Sequence, residues 1–306
     1  MASITLKLEP TVNGSTSYYP GQLLSGTVEL KLDSPTKVRG FYVQVFGSGK
    51  SDWKQSKWVL YRHQIVRYIG IENYVHSRTY LFGEYGGPII ELPAGTHNYK
   101  FFGQLPFHLP YSLKLTHGKI SYHVKAVLDI PWKTDKNAEV AFTVFPHDDL
   151  NLYPELKSAL RYKTSKCFTP PTHESNLFHM TGTIPYRGFA TNDYAPVYIH
   201  YENNSSKDII GTKIKLCQTM VFNSPLQSKK KVKEIVVNEA RFEGIPAKSS
   251  KTIQAEIQIP YVMTTNEQFS QVVIIRYFIE VVAETRVDDN PKLKFHVVIG
   301  SVPIKI

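Results

Sequence analysis

A chain of 306 residues, 42% hydrophobic and 20% charged, has the composition of a folded protein of about two domains. Its two cysteines, Cys167 and Cys217, exclude a disulfide-stapled scaffold and favour a reducing cytosol, and no apolar run approaches the ~20 residues of a membrane-spanning helix. A formal charge of +10 favours anionic partners such as acidic membranes, phosphorylated tails or nucleic acid.

The predicted elements are almost all strands. The opening "MASITLKLEP" has no signal-peptide core, and within it Ile4, Leu6 and Leu8 alternate with polar residues. "SGTVELKLD" continues with Val28, Leu30 and Leu32, and "RGFYVQVFG" and "ISYHVKAVLDI" follow the same pattern. Period-two alternation predicts strands with one buried face. "GSGKS", residues 47–51, resembles the end of a phosphate-binding loop, but that motif needs a glycine where Gln44 stands and a helix after it. A hairpin turn is the expectation there. The nearest helix candidate, "YPELKSALRYK" over 153–163, is short.

The chain repeats itself. "LPAGTHNYKFFGQLPFHLP" has a counterpart in "IPAKSSKTIQAEIQIPYVM", and "ISYHVKAV" has one in "IRYFIEVV". Pro93 pairs with Pro246, Pro106 with Pro260 and Tyr122 with Tyr277, at offsets of 153, 154 and 155. Upstream, "KVRGFYVQV" matches "DIIGTKIKL", and the first copy carries a longer insert around residues 69–88. The fold class is therefore all-β: two tandem, immunoglobulin-like antiparallel β-sandwiches, spanning 1–147 and 179–306 and joined by a linker at 148–178. Proline cannot donate to a strand ladder, so the prolines of "LPFHLP" and "QIPYV" belong at strand edges and bends.

Chemistry is sparse. The eleven histidines form no metal-ligand pattern; His117 and His123 flank a turn and a strand, and Cys167 with His173 is an isolated pair. No nucleophile motif or convergent acid pair is present, so no catalytic, cofactor or metal residue is assigned. The run "SKKKVK", carrying Lys229, Lys230, Lys231 and Lys233, reads as a hairpin loop, and Lys157, Arg161, Lys163 and Lys166 form a second basic cluster in the linker. Both are candidate contacts for anionic lipid or phosphopeptide. Cys167, beside Lys166, is a candidate for lipidation. Nucleic acid is disfavoured because no recognition helix, zinc module or aromatic RNA-binding strand is visible. Sequons at Asn13, Asn203 and Asn204 read as chance in a chain expected to stay in the cytosol.

The stretch "LPAGTHNYKFFGQLPFHLPYSLKLTHGKISYHVKAVLDIPWKTD" resembles the N-terminal domain of the arrestins, and of the α-arrestins in particular. "YYPGQLLSGTVEL", "VQVFGSGKSDW", the interdomain-like "DDLNLYPEL" and the terminal "VVIGSVPI" extend the resemblance over essentially the whole chain. It implies the arrestin fold and a non-enzymatic trafficking adaptor, cytoplasmic and recruited to the plasma membrane and endosomes. Such an adaptor engages membrane receptors or transporters and recruits WW-domain HECT-type ubiquitin ligases through PPxY motifs. These 306 residues hold no PPxY; "TPPTHES" has Pro170 and Pro171 but His173 where tyrosine is required. Ser25 stands where the visual and β-arrestins carry an aspartate of their charged core. Two other readings remain open: a retromer-like coat subunit, and a thioredoxin-binding relative that would use Cys217.

Overall fold

The computed structural model describes residues 2–11, 14–59, 62–168, 177–286 and 290–305. Asn13, Pro170, Pro171 and His173 lie outside them. Two compact units result, one of Met1–Pro146 with Phe222–Lys231 and Gln268–Val273, the other of His147–Val221, Val232–Glu267 and Ile274–Ile306.

The first eleven strands are β1 (Ala2–Leu8), β2 (Ser17–Tyr18), β3 (Leu23–Leu32), β4 (Thr36–Val38), β5 (Gly40–Val59), β6 (Arg62–Gly83), β7 (Ile90–Leu92), β8 (Gly95–Gln104), β9 (Leu113–Leu115), β10 (Gly118–Asp129) and β11 (Lys136–Val144). They build a three-stranded sheet, β1-β3-β8, and a larger one, β2-β11-β10-β5-β6, with β9 on β10 and β4 paired with β7. The alternation read in the sequence is the burial pattern: Leu24, Val28, Leu30 and Leu32 of β3 point inward while Glu29 and Lys31 face out. Phe41 of β5 meets Tyr99 of β8 with ring centroids 5.5 Å apart, so the two sheets share one core. Each large apolar side chain removed from water there contributes about 1.5–3 kcal/mol.

The remaining strands are β12 (Leu160–Cys167), β13 (Leu177–Ile184), β14 (Gly188–Ala190), β15 (Tyr194–Asn203), β16 (Ile209–Ser224), β17 (Lys229–Ile245), β18 (Ser249–Gln258), β19 (Val273–Glu284) and β20 (Lys292–Gly300). They form the orders β12-β13-β15-β18 and β14-β20-β19-β16-β17. Apart from the added β12 and, among the described residues, the lack of counterparts to β4, β7 and β9, this is the topology of the first unit, down to a short parallel pair: β2 on β11 in one and β14 on β20 in the other. The repeat in the sequence is thus a repeat of the fold. Its tyrosines do the same work in each copy. Tyr122 and Tyr277 are about 1% exposed, and each donates its hydroxyl to a loop carbonyl, of Pro110 and of Met263. Burial pushes both phenols well above their ordinary range. The prolines lie where their missing N–H does no harm: Pro106 and Pro110 between β8 and β9, Pro246 between β17 and β18, and Pro260 after β18.

Three local expectations differ from the structure. "GSGKS" is no turn; it lies in mid-strand in β5, at a register shift between Gly47 and Ser48. Its glycines make room for neighbours, since a Cβ on Gly47 would sit 2.3 Å from the Tyr122 ring and one on Gly49 2.1 Å from the Tyr74 hydroxyl. In the 153–163 stretch only Pro154–Lys157 is helical, as a 3₁₀ turn, because the alternating residues from Leu160 onward pair with β13 as β12. Strand β12 also lies inside the 148–178 stretch read as linker.

Candidate functional site

The lysine run is a strand and not a loop. The turn Pro225–Gln227 closes the hairpin, Ser228 takes a left-handed φ of 49°, and β17 begins at Lys229. Strand alternation places Lys229, Lys231 and Lys233 on one face and Lys230 on the other. Strand β17 ends its sheet, where lysines are tolerated because no further strand pairs against them. Lys229 and Lys230 line an open cleft of about 350 Å³ with Asn223, Ser224, Pro225, Ser228 and Gln271. Segment 222–231 carries three lysines and no carboxylate, and the Glu72 carboxylate at Gln271 is taken up by the Gln271 and Val272 amides and the Ser270 hydroxyl, so the cleft is suited to an anionic group. Within the first unit this turn is fastened to β6. Gln227 accepts from the Ile69 amide at 3.2 Å and donates to the Arg67 carbonyl at 3.1 Å, and Ser224 Oγ donates to the Ile69 carbonyl at 2.8 Å.

The second basic cluster does not hold together. Arg161 and Lys163 share the outer face of β12, opposite Thr183 and Thr181 of β13. Lys166 is on the other face, its Nζ 5.8 Å from the Phe168 ring centre. Lys157 donates to the Lys305 carbonyl at 2.9 Å. The outer face gains partners that spacing alone does not reveal: the Ser165 hydroxyl lies 2.6 Å from His179 Nδ1, and His200 lies 2.9 Å from the Thr252 hydroxyl. Cys167 is half-buried at the end of β12.

Sequence reasoning passed over the long β5–β6 hairpin. Pairing of β10 with β5 stops at Ser51, and beyond it β5 and β6 run on as a two-stranded ribbon, from Asp52–Ile69 to Val59–Arg62. Its one face sets Trp58 opposite His63, Ser56 opposite Ile65 and Lys54 opposite Arg67. Trp58 is 69% and Ile65 74% exposed. The only carboxylate in residues 52–69 is Asp52. Arg67 and Lys50 pair with it, and the Arg67 hydrogen bonds hold its carboxyl down at about 2. Lys54, Lys57 and Arg62 keep the ribbon basic.

Other chemistry is muted. Cys217 is 2% exposed in β16, and burial with the Glu280 and Glu234 charges pushes its thiol up to about 11, so few thiolates exist at neutral pH. That is a poor starting point for the mixed disulfide a thioredoxin partner would need. Ser25 donates to Glu9 at 2.6 Å in a largely exposed contact. His123 stacks on Phe46 at 5.2 Å, and His117 meets the edge of Phe222 at 5.6 Å. Among the described residues no three His, Cys, Asp or Glu side chains are grouped to hold a metal ion, and no helix is long and apolar enough to cross a membrane.

The sequence has counterparts among known proteins. Residues 8–151 match the family described as "Arrestin (or S-antigen), N-terminal domain", and residues 174–304 match "Arrestin (or S-antigen), C-terminal domain". "Arrestin domain-containing protein 1" of Mus musculus is 25% identical over 272 residues, covering 88% of this chain and 58% of its own. The Homo sapiens protein of that name is 24% identical over 273 residues, covering 88% and 59%. "Arrestin domain-containing protein 4" of Homo sapiens is 26% identical over 300 residues, covering 94% and 68%. The chain therefore spans under two thirds of the length of the first pair of relatives.

Proposed function

This chain belongs to the arrestin family, and from that membership we propose that it is a non-enzymatic adaptor. In this reading its two sandwiches bind the cytoplasmic tails of membrane receptors or transporters. Segments beyond the 306 residues link that cargo to a HECT-type ubiquitin ligase, and the cargo is ubiquitinated and internalised. The protein works from the cytoplasm at the plasma membrane and endosomes. The observation that carries the proposal is the match of both arrestin domains in order along the chain, together with the duplicated strand topology.

The basic residues fit this reading as an anion contact. Lys229 and Lys230 line a cleft free of carboxylates in its own segment, and Lys231 and Lys233 follow on the same strand. Arg161 and Lys163 form a smaller pair on β12, and Cys167 at its end is the residue proposed for lipidation. Near an acidic bilayer each lysine contributes about 1 kcal/mol, so the first group outweighs the second. Two weak attachments, to cargo and to lipid, reinforce each other through effective concentration.

The adaptor reading is tested by reading the natural transcript past Ile306 and titrating the full-length product against isolated WW domains. Saturable binding that disappears when PPxY tyrosines are replaced by alanine is the expected result. A full-length product that binds no WW domain sinks the ligase half and leaves a cargo-binding arrestin module.

A further inference from the structure

We propose that the β5–β6 ribbon and the Pro225–Gln227 turn beside it form a bilayer-docking tip, apolar at its surface and basic around it, for a membrane rich in anionic lipid. The proposal deepens the membrane-adaptor reading and rests on it. Its first ground is exposure. Trp58, Ile65 and Leu226 are 69%, 74% and 98% exposed, and all three belong to the same compact unit. Trp58 and Ile65 stand on one face of the ribbon. Turn and ribbon are held together by the oxygen and the nitrogen of the Gln227 side-chain amide on the backbone of β6, so Leu226 is carried beside the β6 edge and does not hang from a separate loop.

The second ground is the ribbon's architecture. Past Ser51 it has no third strand on the β10 side, and a two-stranded hairpin alone is marginal in water. The base of the ribbon buries Trp53 against Tyr68, but its extension to Trp58 and Ile65 leaves those apolar side chains uncovered and adds nothing to stability. The third ground is charge. Lys54 and Arg62 on the ribbon and Lys229 and Lys230 at the turn are exposed. The ribbon's lone carboxylate, Asp52, is neutralised by Arg67 and Lys50, and Glu72 by the turn is taken up by the Gln271 and Val272 amides. A tryptophan and aliphatic side chains ringed by lysine and arginine match the bilayer boundary, where indole sits at headgroup depth and cations meet lipid phosphates. The cleft at Lys229 and Lys230 gives one such phosphate a seat.

The test uses the whole chain and phosphatidylcholine vesicles with and without phosphatidylserine. Binding is followed by co-sedimentation and by Trp58 fluorescence in a Trp132→Phe background, since Trp53 is buried. The expected result is binding that needs phosphatidylserine and weakens with salt. Trp58 emission shifts to the blue and is quenched by lipids brominated near the headgroup end of the acyl chain. A Trp58→Ser, Ile65→Ser variant with an unchanged circular dichroism spectrum loses affinity roughly tenfold or more, and Lys229→Gln with Lys230→Gln loses roughly fivefold per charge. Vesicle binding that the lysine variant abolishes while the ribbon variant retains it, with Trp58 unquenched, overturns the tip and leaves the lipid contact of the lysines standing. No binding to either vesicle overturns both.

Discussion

The hairpins β5–β6 and β16–β17 occupy the same place in the two copies of the fold, and they end differently. The first runs 20 and 22 residues and outgrows its sheet neighbour as a ribbon with Trp58 and Ile65 in solvent. The second runs 16 and 17 residues and closes in a compact turn pinned by Gln227, with lysines following at once. Beneath them the frame is conserved between copies: the strand order, the short parallel pair and the buried tyrosine on a loop carbonyl. Burial fixes the frame, because a changed core residue costs several kcal/mol, whereas a hairpin end in water is free to diverge. In these two hairpins the divergence between the copies therefore concentrates at the ends.

The largest effect expected from this comparison separates frame from ribbon. Phe41, fully buried in the same β5 strand that carries Trp58, loses its contacts on mutation to alanine, and the expected destabilisation is about 3–5 kcal/mol. Trp58→Ala, at 69% exposure, is expected to change stability by no more than about 0.5 kcal/mol. Urea unfolding of both variants decides it. A large loss for Trp58→Ala would mean that the ribbon is part of the frame.

A smaller effect tests how alike the copies are. Tyr122→Phe strips the Pro110 carbonyl of its donor, at about 1–3 kcal/mol. Tyr277→Phe does the same to Met263 and also strands the Gln218 amide, which donates to the Tyr277 hydroxyl. It is therefore expected to cost more, by roughly one further hydrogen bond. Equal losses in thermal or urea unfolding would show that the Gln218 contact contributes nothing and that the tyrosines are equivalent.

Much of this was legible in the sequence, because a half-buried strand writes its faces in alternate residues, as β3 does, and a duplicated fold repeats its prolines and tyrosines. What stayed hidden depends on neighbours far along the chain. The glycines at 47 and 49 look like a turn until the Tyr122 and Tyr74 side chains are set against them. The lysine run looks like a loop because charge is usually excluded from strands, and only the sheet order shows that β17 is an edge. The β5–β6 ribbon was passed over, because the exposure of Trp58 and Ile65 depends on which layers lie over them, and alternation carries no information on that. Arg161 and Lys166 seem one cluster in sequence, yet an odd spacing in a strand sends them to opposite faces.

The smallest expected effect lies on the ribbon itself and bears on how its charge is kept positive. Asp52 bonds to Arg67 through two side-chain contacts and pairs with Lys50 at 3.3 Å. With a folded value near 2 against an ordinary 3.8, the carboxylate is favoured by folding. Its contribution is present above about 3.8 and is lost as pH falls through about 2. The group is half-buried at the surface, where solvent screens the pair, so the contribution to stability is slight. The titration itself is the sharper readout. Carbon-detected NMR of the Asp52 carboxyl should give a midpoint near 2, and Arg67→Gln should bring it back towards the ordinary aspartate range. The same variant leaves Asp52 with Lys50 as its remaining ion-pair partner and removes one cation from the ribbon. A midpoint that Arg67→Gln does not move would mean that the guanidinium spends its time elsewhere and that Lys50 alone compensates Asp52 on the face that Trp58 and Ile65 share.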